Sequence, residues 1–289
     1  MSDHQLDGRT SVFPIDFALH QPRVPVTIEK WYSDALLDDG TVLLLYFGVL
    51  NLLGARIALV TAELFLPDES TVRGQSWATR VEAGLGHLRF GPASIEGTLL
   101  RFDTLGLSGE LTYTARFPPF ALREPFLADG SRALTWSVEV PDADVEGEVR
   151  WPGGRLSVRG RGYRDRVWFD LLPWRFPIRE LVWGRAVAGA HATTWVSATT
   201  TTGVIVGAWA DGRVLKSPEA GRLPTGLELG PGREFLDADV VSLEGLRLGV
   251  LRGLVGRLTG NPHETKYRAP CSMAHDAGVA VHEVVRWRA

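Results

Sequence analysis

Cysteine is almost missing from this chain: Cys271 is the only one in 289 residues. A single thiol excludes an internal disulfide and any cysteine-built metal cluster. An excess of one charge is missing too. The 31 Lys and Arg nearly balance the 34 Asp and Glu, and the basic residues are scattered instead of striped. That leaves no electrostatic footprint for nucleic acid or an anionic lipid surface. The polar, acidic start MSDHQLDGRT lacks a signal-peptide apolar region, so a cytoplasmic protein is expected. No G-x-S-x-G elbow occurs, and GRLTGN is too short for a phosphate loop and lacks the Lys-Ser or Lys-Thr ending. Covalent hydrolysis and nucleotide use are disfavoured. His191, His263, His275 and His282 have neither the i, i+2 nor the i, i+4 spacing of a ligand pair, and His4 and His20 sit in the polar start. Neither a metal nor another cofactor is expected.

What is present is a succession of strand formers. TVLLLYF, ARIALVTAELFL, GELTYTARF, RALTWSVEV, RLSVRG, TTWVSATTTTGVIVGAWA and AVHEVVRW alternate with turn clusters such as LDDGT, LPDES, LADGS, WPGGR and WADGR. The pattern is all-β, and the length suffices for one large domain or two barrels. Only LEGLRLGVLRGLVGRL, Leu243 to Leu258, has a helix-like look, and its four glycines leave a short helix or further strands both open. Leu43 to Val60 is long and apolar enough to suggest a membrane span. Gly48, Asn51, Gly54 and Arg56 interrupt it, so GVLNLLG reads as a turn between two strands buried on both faces, and no stable membrane insertion is expected. VEGEVRW, ending at Trp151, and VHEVVRW, ending at Trp287, echo each other as closing strands. Two barrels of similar size, residues 1–168 and 182–289, would then flank FDLLPWRFPIREL, Phe169 to Leu181, as a linker or lid.

The stretch GRGYRDRVW, residues 160–168, poses a problem of register. Unbroken alternation from Leu156 and Val158 would turn Arg164, Arg166 and Trp168 inward, at a severe desolvation cost for the two arginines. A bulge at Gly160, Arg161 and Gly162 would avoid this and turn Tyr163, Asp165 and Val167 inward instead. A carboxyl on an apolar wall gains a raised pKa and becomes fit for general acid-base work, with Tyr163 to orient it. The structural alternative is a strut, with Asp165 tying backbone amides together.

The same stretch, followed by LVWGR, resembles the G-x-G-Y-x-D-x-x-W and W-x-W-G-R signatures of the carotenoid 1,2-hydratase (hydroxyneurosporene synthase) superfamily, which also includes lipocalin-like Diels-Alderases. EKWYSDALLDDGT (Glu29 to Thr41) resembles its E-W-W-Y-F-D-A opening, WSVEVPDADVEGEV (Trp136 to Val149) the Trp strand before the Tyr-Asp motif, and GVAVHEVVRW its last strand. The matches keep the family's order from about residue 29 to 287. The resemblance implies two consecutive lipocalin-like (calycin) antiparallel β-barrels with few short helices, and a ligand cavity in the first barrel and at the junction of the two.

By position, the resemblance makes Asp165 the acid that protonates a double bond in the hydratases, with Tyr163 beside it. The hydratase His before the strand tryptophan is replaced here by Leu134, and the polar residues after the motif Asp by Arg166, Val167 and Phe169. Losing those partners weakens the case for hydration and leaves a cavity in which a flexible chain could be folded. The expectation is a cofactor-free biosynthetic cyclase or isomerase acting on an apolar polyene, polyketide or terpenoid by intramolecular [4+2] cyclisation, in which holding the reactive conformer and polarising a carbonyl do most of the work. A carotenoid or terpenoid hydratase, or a proton-initiated cyclase, with Asp165 as acid is one alternative, and a lipid carrier without turnover is another. Trp31, Trp136, Trp168, Trp183 and Trp195 could line such a site, about half of them serving the core alone. Tyr32 adjoins Trp31. Glu29 and Asp34 fall on opposite faces of one strand, so one should be solvated, and Glu29 matches the family position.

Overall fold

The structure, a computed structural model, describes residues 15–21, 25–52, 54–121, 127–129, 132–170, 178–215, 226–239 and 262–287. Leu243–Leu258 and residues 171–177 of the expected linker lie outside these. Every element described is a strand, with no helix among the described residues. The first sheet comprises β1 (Val26–Leu37), β2 (Val42–Leu52), β3 (Ala55–Phe65), β4 (Thr71–Ala78), the short strands β5 (Val81–Gly84), β6 (His87–Phe90), β7 (Ala93–Glu96) and β8 (Leu99–Thr104), then β9 (Leu107–Ala115), β10 (Phe120–Ala121), β11 (Leu127–Asp129), β12 (Arg132–Trp151) and β13 (Gly154–Phe169). The second contains β14 (Ile178–Ala188), β15 (His191–Thr200), β16 (Val204–Ala210), β17 (Arg213–Leu215), β18 (Leu227–Leu229), β19 (Arg233–Asp239), β20 (His263–Met273) and β21 (Asp276–Arg286).

Both sheets follow one plan. The first four strands form a meander, and the last strand returns to pair with the first, giving β4-β3-β2-β1-β13-β12 and β17-β16-β15-β14-β21-β20. A bridge between Gln75 and Leu105 brings the β4 edge against the β8–β9 turn, so the first sheet curls into a near-barrel. The topological counterpart of β21 is therefore β13. Trp151 ends β12, so the echo between Trp151 and Trp287 does not mark equivalent strands. The apolar run from Leu43 is a hairpin in which Leu52 pairs with Ala55 and Gly54 takes a φ of 88°; the turn is tighter than GVLNLLG suggested, and β2 continues through Gly48.

The expected bulge at Gly160–Gly162 is absent. β1 and β13 pair without a break from Ile28↔Phe169 to Leu37↔Gly160. The irregularities fall on β12, between Val138 and Val140 and between Val140 and Ala143, around Pro141, which cannot donate to a ladder. Gly160 and Gly162 serve close approach instead: a Cβ on Gly162 would lie 2.2 Å from Val145 Cγ2 and 2.6 Å from Tyr113 Cε1. Arg164, Arg166 and Trp168 thus do face the core of the first sheet; other groups meet both arginines, but Arg164 Nε and Nη1 have no hydrogen-bond partner among the described residues. Arg166 pairs with Glu29, donates to the carbonyls of Asp16 and Ala18, and lies 4.9 Å above the Trp31 ring. Arg164 donates to the Gly97 carbonyl and lies 5.5 Å from the Tyr113 ring.

Tyr163 and Asp165 consequently point away from the first sheet's core. The second sheet covers that face, and a shared apolar layer including Tyr32, Val138, Ile178, Trp183, Val196 and Val281 fills the junction. β1 and β13 are buried on both sides because each lies between two cores.

Candidate active site at the junction of the sheets

Three adjacent strands of the first sheet supply one wall. Alternation places Tyr163 and Asp165 of β13, Tyr32 and Asp34 of β1, and Trp136 and Val138 of β12 on the same face, with Tyr32 directly opposite Asp165 and Val138 on its other side. β14 brings Trp183 and Arg185 down from the second sheet.

Asp165 is 4% exposed, and its Oδ2 accepts hydrogen bonds from Trp136 Nε1 and Tyr163 OH, both at 2.9 Å. Burial pushes the carboxyl up to about 7, against the opposing pull of the Trp136 and Tyr163 hydrogen bonds. With both donors on Oδ2, the proton of the neutral acid belongs on Oδ1. Burial, reinforced by Asp165, holds the Tyr163 phenol well above its usual value, so it remains a donor. The result is an oriented carboxyl able to give a proton or a strong hydrogen bond near neutral pH.

Asp34, on the same face, accepts from Tyr32 OH at 3.0 Å and from Arg185 Nε at 2.9 Å, and both members of the ion pair are fully buried. This pair pins the two sheets together. Tyr32 packs 5.3 Å from Trp183 and 5.2 Å from Tyr46, Tyr163 lies 5.3 Å from Trp183, and Phe120 meets Trp136 edge-on at 5.9 Å. An aromatic wall therefore surrounds the acid.

Of the residues singled out in the sequence, Tyr32, Trp136 and Trp183 join Asp165 and Tyr163 here. Glu29, Trp31 and Trp168 lie on the opposite face of β1 and β13: Glu29 holds Arg166 and His20, Trp168 stacks on His20 at 4.4 Å, and Trp31 packs against Phe90. Trp195 belongs to the core of the second sheet, where Gly184 leaves room for its ring. Glu29 and Asp34 do fall on opposite faces, but neither is solvated, at 3% and 0% exposed.

Sequence reasoning missed a buried ionic group on the facing wall. Lys266 of β20 pairs with Glu264 on its own strand and Glu283 of β21, and its ammonium lies 5.6 Å from the Tyr32 ring. Burial lifts Glu264 to about 7, whereas Lys266 holds Glu283 at about 2 in spite of burial. A signal existed: in VAVHEVV, Glu283 sits between Val281 and Val285 on the apolar face of the strand, where a charge needs a partner. Along the same face of the first sheet, past Tyr32, a pocket of about 60 Å³ is lined by Ile28, Lys30, Tyr46, Gly48, Leu50 and Leu59 among others. Among the described residues, no cluster of His, Cys, Asp or Glu could hold a metal ion, and no helix is long and apolar enough to cross a membrane.

No family model matches the sequence, and no curated protein matches it. Solved structures do. An AttH candidate from Nitrosomonas europaea superposes with a TM-score of 0.61 at 13% identity, covering 93% of this chain and all of its own. CghA with Sch210972 gives 0.62 at 13% identity over 96% of each chain. Kievitone hydratase from Nectria haematococca gives 0.54 at 12% identity over 93% of this chain and 91% of its own. At such identity the likeness is one of fold: the chain shares the all-β architecture of these proteins, two consecutive lipocalin-like near-barrels.

Proposed function

We propose that the chain is a cofactor-free enzyme that takes an apolar small molecule into the junction between its sheets and cyclises or isomerises it, with an intramolecular [4+2] cyclisation as the leading reaction. The observation that carries this reading is the setting of Asp165: buried, oriented by Trp136 and Tyr163, poised near pH 7, and set in an aromatic wall. In a cycloaddition the wall holds diene and dienophile in a reactive conformer, and Asp165 donates a hydrogen bond to a carbonyl on the dienophile. CghA, solved with a small molecule, and kievitone hydratase share this fold and support a small-molecule enzyme.

Hydration, or cyclisation started by protonation, is the second reading. It is favoured by a carboxyl poised to release its proton from Oδ1 near neutral pH. Two substitutions separate the readings. Asparagine keeps an acceptor for Trp136 and Tyr163 and an N–H donor toward substrate, but carries no transferable proton. For the cycloaddition, Asp165→Asn should lose about tenfold in rate or less, and Asp165→Ala clearly more. For proton transfer, both should lose about a thousandfold or more. Full activity in Asp165→Ala contradicts both. A lipid carrier would show bound, unchanged ligand and no product with any variant.

A further inference from the structure

Among the described residues, most charged groups facing the junction have an ion-pair partner, and one lysine does not. Asp34 is matched by Arg185, Glu63 by Arg73 at 3.0 Å, and Lys266 by Glu283. Asp165 and Glu264 are each pushed up to about 7 by burial, so both are largely neutral in mildly acidic solution. Lys30 makes no ion pair within 4 Å among the described residues, and its ammonium lies 5.2 Å above the Tyr46 ring. It also lines the pocket, on the same face of β1 as Tyr32 and Asp34.

The pocket owes its space to Gly48, which pairs directly with Lys30 across β1 and β2. No backbone strain demands glycine there. A Cβ at Gly48 would meet only the Leu59 carbonyl oxygen, at 4.0 Å, and φ lies outside the left-handed region. Apart from Lys30, Tyr46 and Thr61, the lining is aliphatic or glycine. A cation without an ion-pair partner within 4 Å, on the wall of an apolar pocket, calls for a ligand with an apolar body and one anionic oxygen group.

We infer that Lys30, Tyr46 and the slot floored by Gly48 form a recognition subsite for an acidic oxygen head, a carboxylate or enolate, on an otherwise apolar chain. The inference rests on the proposed small-molecule role and narrows its substrate class. Lys30 fixes the head, which sets which part of the chain reaches Asp165. Asp34 and Glu283 already have their own cations, and Lys30 acts on Glu283, Glu264 and Asp165 only as a charge through space.

The test is calorimetric titration of the whole chain at pH 6 with sodium decanoate and, separately, decanol. Decanoate should bind about tenfold tighter than decanol. Lys30→Met should erase that difference while leaving decanol affinity unchanged, and Gly48→Leu, which fits the backbone, should weaken both by filling the slot. Equal affinities in the wild type, a preference that survives Lys30→Met, failure of either probe to bind, or indifference to Gly48→Leu would each overturn the subsite. The assay reads binding and not turnover. A Lys30-dependent decanoate preference in a protein that yields no product would therefore contradict the proposed enzyme while the subsite stood.

Discussion

At the scale of the residue, burying Asp165 costs stability as pH rises. Its carboxyl rises from 3.8 to about 7 on folding because burial penalises the anion. A carboxyl raised in this way adds stability that is fully present below its unfolded value and is lost as pH climbs through the folded value. Asp165→Asn keeps the shape and escapes that loss. The variant should match the wild type near pH 3, below the unfolded value, and gain progressively up to about pH 8, by at most about 4 kcal/mol. Urea unfolding at the two pH values checks this, and a difference that does not change with pH would mean that the carboxyl is not perturbed. A buried acid beside a tyrosine was legible from composition and motif. Its direction was not, because alternation says which residues share a face and cannot say which face the second sheet covers.

At the scale of the element, β13 shows why glycine spacing misled. Two glycines around an arginine read as a bulge because buried arginines looked too costly. The structure accepts Arg164 and Arg166 in the first core, since Glu29, carbonyl oxygens and aromatic faces meet them, and it uses Gly162 to let Tyr113 and Val145 touch the strand. Those partners come from residues between 16 and 31 and from residues 97 and 113, distant in sequence, so no local pattern announces them. Gly162→Ala should therefore destabilise by about 1–3 kcal/mol through overpacking, read as a lower denaturation midpoint with an unchanged slope. A neutral Gly162→Ala would return the position to a turn-like role. The buried Lys266 group was equally hidden because its three members span two strands, although Glu283 on an apolar face was a local clue.

At the scale of the molecule, two sheets of one plan meet face to face, and the candidate site exists only where they touch. The all-β class followed from strand runs and turn clusters, two successive barrels came only from the echo of the halves and the family resemblance, and the plan common to both sheets emerged only from pairing. The Asp34–Arg185 pair joins the sheets from inside. Arg185→Met should cost about 3–5 kcal/mol by leaving a buried carboxylate alone. Adding Asp34→Asn should recover part of that loss, and strict additivity in the double-mutant cycle would show that the pair does not couple the sheets. The central claim is that a buried, neutral Asp165 at this junction acts on a small molecule. Its most direct test is mass spectrometry of metabolites from cells with the gene deleted, then restored as wild type, Asp165→Asn or Asp165→Ala. The account predicts that deletion accumulates a compound of the same elemental composition as the lost product, and that wild type and, in part, Asp165→Asn restore the product while Asp165→Ala does so least. An accumulated compound lighter than the product by one water would mean hydration instead, and an unchanged metabolite profile, or full restoration by Asp165→Ala, would contradict the account.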